Sequence, residues 1–447
     1  MTGSQNNRGQ ALGRFIAWLG SARGALVLLW LIWLIWLAPR ALLLLAHVTP
    51  SSDAAWYVDR ATEMAHGLGY REHGAPTAYW PPGWPLTLTL LFRGFGVSTL
   101  VVSLFNLLCG AVSALVMQDL ARRIARSALA GNKPRSVLAG RVALLLIALY
   151  PNSIFYTPLA MTECFYTALL LGGCWLLVCR TGWAGLVLSG LVFGLAMLVK
   201  AQTLVVVPLI FAIRLWREPQ ALRRLPLLLA QGALVVAVAL LTVSPWTLRN
   251  QREMGAFVLI STNGGITLLT GNNDSANGDF TPDDPLVHQL DARKDLNEMQ
   301  FDAEAKRLGV DWIRSHPLGF AKLIPLKLMR LWAPDGEAQW HYERGWAPWS
   351  RFAKAGLALR LANQAIYALM LLGMAGFAVV ELRRRRREGL RLIDWWLLPY
   401  GIAAYVSAIA VVFSGQSRFH FPVMPFAAMT CGWLVAVCAD RVLKQKG

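Results

Sequence analysis

A cluster of acids and imidazoles follows the first long apolar stretch of this chain. Asp53, Tyr57, Asp59, Glu63, His66 and His73 precede the sequence Pro81-Pro82-Gly83-Trp84-Pro85. A carboxylate just past a membrane helix sits where hydrocarbon gives way to water, and its charge persists only among polar groups. With 15% charged residues against 56% hydrophobic ones, the chain carries few such groups, so acids gathered at this boundary read as a site. Asp53 can act as a base toward a hydroxyl. Ser51-Ser52-Asp53 is also a helix N-cap signal, for a helix expected over Ala54–His66 and stopped by Gly67 and Gly69. The two readings are compatible, because a cap leaves the carboxylate partly exposed. Tyr57 follows one turn later and can hold Asp53 in place, whereas Asp59, Arg60 and Glu63 read as a solvated face. Glu63 and His66, at i and i+3, are candidate metal ligands, with a plain helix end at His66-Gly67 as the competing reading.

Polar groups recur later at the same expected membrane face. Glu163 stands at the mouth of an apolar run beginning near Phe165, where Thr162-Glu163 also reads as a boundary cap. Lys200 ends the run Leu191–Val199; its alternative is snorkelling to lipid headgroups. Arg249 and Asn250 follow Pro245-Trp246, and Arg418 and His420 lie within the segment 414–422. Arg grips phosphate oxygens in a bidentate fork and Lys supplies a point charge. Such cations beside a carboxylate suit transfer from a lipid-linked phosphate to a hydroxyl.

The elements that must position these groups are membrane spans. A mean hydropathy of +0.45 over 447 residues, with 19 Trp, excludes a soluble domain. Runs of roughly 17–25 apolar residues match a hydrocarbon core of about 30 Å, and the abundant Trp fits anchors at headgroup level. The run Ala25–Ala46 reads as a retained span, with no small-residue cleavage site evident before Thr49-Pro50. The net charge of +18 falls in short clusters between apolar runs: Arg122–Arg135, Arg214–Arg224, Arg383–Arg387, and Arg441 to Lys446. That is a positive-inside pattern rather than a nucleic-acid groove. Arg383–Arg387 could also meet anionic headgroups. The six cysteines form no CxxC pair and read as packing residues.

With both termini cytoplasmic, about ten crossings result. They fall near 25–46, 98–117, 142–158, 165–178, 186–199, 204–213, 227–243, 361–380, 392–413 and 421–439. Thr87–Phe95 is too short to cross and is predicted to lie at the interface. The chain divides into an N-terminal membrane module, 1–245, with a first outer loop at 48–97; an outer segment, 246–340; and C-terminal spans, 341–447. Within the outer segment, Asp291–Arg314 reads as a surface helix with apolar Leu296, Phe301, Leu308 and Trp312. Phe320–Trp332 reads as an interface-lying helix.

In this order and spacing the motifs resemble those of the polytopic GT-C glycosyltransferases, in the protein O-mannosyltransferase-like group that includes the bacterial lipid A aminoarabinose transferases. Asp53-Ala54-Ala55-Trp56-Tyr57 resembles the first-loop acidic motif, and 76–85, containing Tyr79, its Pro-rich exit. Thr162-Glu163 is similar to the Glu at a later span mouth. Residues 244–250, followed by 261–265 and 271–273, resemble a bacterial subgroup. Arg418-Phe419-His420-Phe421-Pro422 is similar to a late Arg-aromatic motif. The resemblance implies an all-α integral membrane bundle of GT-C type, with amphipathic juxtamembrane helices on the outer face. It further implies a multi-pass protein of the bacterial inner membrane with a periplasmic active site. There a monosaccharide would pass from a polyprenyl-phosphate donor to a hydroxyl or phosphate on a glycan, lipid or protein acceptor. Asp53 would be the general base; Lys200, Arg249 and Arg418 would hold the donor phosphate; Tyr57, Glu163, Tyr79, Asn250 and His420 would support them. No cofactor is fixed by the resemblance, and a divalent metal ion stays open. Some relatives carry paired first-loop acids where this chain has the single Asp53. An O-antigen ligase or polymerase using a polyprenyl-diphosphate donor, a lipid-linked sugar flippase or transporter, and a scaffold with no need of Asp53 are the competing classes.

Overall fold

In hydrocarbon a backbone must satisfy its own polar groups, and long runs of Leu, Val, Ala and Trp do so as helices. The computed structural model describes residues 22–128 and 133–444. Arg8, Arg14 and Lys446, expected on the cytoplasmic side, lie outside the described residues. The helices are α1 (Ala22–Leu43), α2 (Asp53–Ala65), α3 (Gly83–Phe95), α4 (Thr99–Ala128), α5 (Lys133–Leu149), α6 (Pro151–Phe155), α7 (Glu163–Cys179), α8 (Trp183–Val199) and α9 (Val206–Arg217). They continue as α10 (Ala221–Met254), α11 (Gly264–Gly271), α12 (Pro285–Asp291), α13 (Glu298–Ser315), α14 (Pro317–Leu331), α15 (Glu337–Gly345), α16 (Ala353–Arg387), α17 (Leu398–Val412) and α18 (Met424–Lys444). A hairpin of β1 (Arg71–Glu72) and β2 (Ala75–Pro76) pairs Arg71 with Pro76 and Glu72 with Ala75.

Among the described residues six helical stretches are long and apolar enough to cross a membrane, those of α1, α4, α10, α16, α17 and α18, and the chain is a multi-pass membrane protein. The other four expected crossings fall on α5, α7 and α8, each of 17 residues, and α9, of 12. These pack against the longer helices; α5 runs against α4 and α18, and α8 lies between α7 and α10. Close approach there depends on small residues. A methyl added at Gly194 would meet the Ala239 carbonyl oxygen at 2.8 Å, and one at Gly190 would meet Val238 Cβ at 2.7 Å. The end of the bundle opposite the first loop is tied by ion pairs. Arg217 reaches Asp394 at 2.6 Å, and Arg385 bonds Glu381 at 2.7 Å and Asp394 at 3.1 Å. Arg385 is 3% exposed, so this member of the Arg383–Arg387 run faces protein rather than headgroups.

Several expected boundaries move, and the helix at the place of the 142–158 crossing ends at Leu149. The first-loop helix starts at Asp53, not Ala54, and the interfacial helix at Gly83. The span expected to end at Val243 continues through Pro245 to Met254 as one helix. The surface helix expected from Asp291 begins at Glu298, because Asn297 and Gln300 form a reciprocal capping box there. Ahead of it, Ile266, Leu269, Val287, Leu290 and Ala305 make a small separate core, with Leu296, Phe301 and Leu308 packed against it. The cysteines are all free, and four of the six are buried in apolar surroundings, as expected of packing residues; Cys438 is exposed.

Replacing Gly194 by Leu should force α8 from α10 and cost about 1–3 kcal/mol, read as a lower unfolding temperature in detergent. Gly182→Ala, where a Cβ meets nothing within 4 Å, should leave that temperature unchanged.

Candidate active site on the first-loop face

Ser52 precedes α2 with a left-handed φ of +54°, a conformation costly for a residue with a side chain. It makes no side-chain cap, so the expected capping role passes neither to it nor to Asp53. The Asp53 carboxylate turns instead to Arg418, with Oδ2 2.6 Å from a guanidinium nitrogen; the two side chains keep 20% and 21% exposure. Arg418 Nε donates to Gln416 at 3.1 Å, which fixes the fork. Tyr57, one turn beyond Asp53, is buried against Trp56 and Trp80. Burial, and then the Asp53 charge, push its phenol up, so it stays neutral beside the ion pair.

A second pair lies alongside. Glu163, the first residue of α7, is 2% exposed and 3.8 Å from the Lys200 ammonium. Lys200 does not snorkel: it turns inward between the rings of Tyr166 and Phe419, each 5.2 Å away. Burial lowers its pKa, and Glu163 pulls it back.

Two residues that sequence reasoning missed complete the cluster, Glu337 and His341, a turn apart on α15. Glu337 accepts from the Ser417 hydroxyl at 3.0 Å. Burial raises its pKa, while Arg418 lowers it. His341 shares a 3.4 Å contact with Ser51. Burial lowers its pKa; Glu163 and Asp53 act upward and Arg418 downward, which places the ring among all three charges. Glu337 was hidden because 337–345 carries no membrane-run signal, and nothing local says which face turns inward. Beside the cluster, a cavity of ≈ 190 Å³ is lined mainly by apolar groups including Val48, Ala54, Val58, Phe92 and Leu159, with His341 at its edge.

Other expected site residues are placed elsewhere. Arg249 donates to the carbonyls of Tyr70 and Thr77, both at 2.7 Å, and pairs with Glu253 at 3.0 Å. It therefore fastens the first loop, and none of its contacts reaches the Asp53–Arg418 pair. Asn250 is fully buried and bonds the Val258 carbonyl at 3.0 Å. Tyr79 packs on Trp80 and the small core, and its phenol is pushed up to about 12 by burial. His420 points away from Arg418, toward Leu331 and Asp335. Glu63 pairs with Arg60 at 2.9 Å, and His66 contacts the Thr62 carbonyl at 2.8 Å. Among the described residues no group of three or more His, Cys, Asp or Glu side chains is placed to hold a metal ion. Asp59 is exposed, as expected of a solvated helix face.

The first loop and the 246–345 segment are clamped by a residue with no sequence signal of its own. Glu298 accepts from Thr77 at 2.7 Å, the Ala78 N–H at 2.8 Å and Thr262 at 2.6 Å. The helix expected at the interface, α14, presents a further surprise. Its Lys327 is fully buried, donating to Asn272 at 2.7 Å and the Val411 carbonyl at 3.0 Å.

No protein-family model and no curated protein matches the chain. Among solved structures it is similar to an Archaeoglobus fulgidus oligosaccharyltransferase tethered with an acceptor peptide, at a TM-score of 0.51 and 16% identity. The match covers 95% of this chain and 50% of that one, so the chain spans half the length of that enzyme. This likeness establishes the architecture: the chain has a membrane-embedded GT-C fold.

Burial moves the Lys327 ammonium from 10.5 to about 8. Between these values the unfolded chain binds more protons than the folded one, so stability should rise with pH from about 8 toward 10.5. Denaturation midpoints in detergent should show that rise, and Lys327→Met should flatten it.

Proposed function

We propose that this protein is a membrane glycosyltransferase that moves a monosaccharide from a polyprenyl-phosphate donor to an acceptor hydroxyl. The observation that carries the reading is the partly open Asp53–Arg418 contact at 2.6 Å, with Lys200–Glu163 beside it and the apolar cavity at its edge. In this scheme the acceptor oxygen attacks the anomeric carbon and the bond from that carbon to the phosphate oxygen breaks. The acceptor proton passes to Asp53, and the polyprenyl phosphate leaves as an anion. Asp53 Oδ2 is held by Arg418, and Oδ1 makes no hydrogen bond among the described residues, which leaves it to receive the proton. Arg418 and Lys200 meet the leaving phosphate; both are already oriented by carboxylates, so little reorganisation accompanies the reaction. Glu337 and His341 would border the acceptor. The cavity beside α2 and α3 suits the first isoprene units of the donor, with the rest of the tail in lipid.

The sugar-transfer class also draws support from the shared architecture. The membrane assignment favours the bacterial inner membrane with the first-loop face outward, because the Arg-rich helix ends then obey the positive-inside rule.

Purified protein in proteoliposomes should transfer sugar from polyprenyl-phosphate monosaccharides. Asp53→Asn should reduce kcat by about 10²–10⁴-fold, and Arg418→Gln by about 10²–10³-fold. Undiminished transfer by folded Asp53→Asn protein would overturn the base assignment. Activity with a diphosphate-linked oligosaccharide alone would instead assign the protein to the ligase class.

A further inference from the structure

Behind the site lies a buried polar knot that the scheme above does not use. Asp335, 3% exposed, precedes α15, and His420, fully buried, sits in the turn 417–423 that carries Arg418. Two rungs join these segments. Glu337 accepts from Ser417, and two residues deeper Asp335 Oδ1 lies 3.5 Å from His420 Nε2. Gly336, at φ +141°, makes the turn that sends Asp335 inward and Glu337 toward the site.

The donor and acceptor inventory of the deeper rung is constrained. His420 Nδ1 lies 2.7 Å from the Leu331 carbonyl, which only accepts, so Nδ1 carries a proton. Among the described residues Nε2 has no hydrogen-bond partner, and it faces a carboxylate oxygen, itself an acceptor. Two lone pairs cannot face each other in a dry interior without cost, so a proton belongs between them. Tyr150 and Asn152 already donate one to each Asp335 oxygen, so both oxygens act as acceptors and the proton between the pair belongs on the ring. The His420 ring is stacked between Trp332, at 5.7 Å, and Tyr367, at 4.9 Å, and aromatic faces favour a cation.

We infer that His420 is a buried imidazolium paired with Asp335, and that this pair is the positioning element for Arg418 and Glu337. The ion pair locks the 417–423 turn to the start of α15, and thereby sets where Arg418 meets Asp53. Its catalytic consequence rests on the transferase reading; the protonation of His420 does not. A buried pair of this kind holds one geometry because removing either partner leaves an uncompensated charge.

Nitrogen-15 NMR of histidine-labelled protein in detergent, with His420 assigned by its loss in His420→Gln, reads the ring directly. Protons on both ring nitrogens are expected, and a ring protonated on Nδ1 alone would overturn the ion pair. In the transfer assay, normalised to folded protein, Asp335→Asn should lower kcat/KM for the donor at least about tenfold, equivalent to about 1.4 kcal/mol. Tyr150→Phe keeps both charges and removes one donor; it should give a smaller loss of the same kind, and it serves if Asp335→Asn does not fold. Unchanged kinetics in folded Asp335→Asn and Tyr150→Phe would overturn the positioning role. Wild-type protein that shows the doubly protonated ring but transfers no sugar would overturn the transferase reading and leave the ion pair intact.

Discussion

An ionised side chain at the edge of a hydrocarbon layer is only half solvated, and the remaining stabilisation must come from a partner within the protein. Asp53 and Arg418 meet that requirement for each other. Their contact joins the first extramembrane helix to the turn ahead of the last span, and the rest of the site is built around the joint. Glu163 and Lys200 repeat the solution one helix away, between the start of α7 and the end of α8. Each pair holds its charges in place through a partner in the protein, so on the proposed reading they meet a phosphate already oriented.

The extramembrane segment contributes less chemistry than geometry. Glu298 collects three donors from the first loop and from the stretch after α10, and Arg249 grips two carbonyls of the same loop. Lys327 ties α14 to Asn272 and to the end of α17. The small core around Leu269 and Leu290 forms a cluster separate from the bundle core, and these polar contacts fasten its segment to the bundle.

Much of the fold was legible because the apolar runs are long and the basic clusters punctuate them; each of the ten expected crossings has a helix at its place. What the runs do not carry is rotation about the helix axis. Asp53, Glu163, Lys200 and Arg418 were recognisable as charges at run ends, where solvation is scarce, and the fold gathers them. Arg249 and His420 carried the same signal, but a helix turn or a backbone carbonyl takes each of them elsewhere. Glu337, His341 and Glu298 occupy polar stretches in which an acid or a histidine is ordinary, so only tertiary contacts single them out. Lys327 sat in an amphipathic pattern that suggests a wetted face, yet the packing of Phe320 and Asn272 encloses it. The start of α13 at Glu298 was written in the sequence as Asn297 and Gln300, a local signal overridden in the reading by the longer apolar periodicity.

Asp53 and Arg418 are 365 residues apart in the chain. During synthesis the carboxylate therefore emerges long before its partner, and most of the bundle must be laid down while the first loop waits. The constellation closes only when the turn at 417–423 and the final span arrive, with Asp335 and His420 brought together in the same movement. A nascent or truncated chain lacking that last hairpin would hold a carboxylate, an apolar cavity and no opposing guanidinium. Order along the chain thus sets a condition: the Asp53–Arg418 contact exists only once the 417–423 turn is in place.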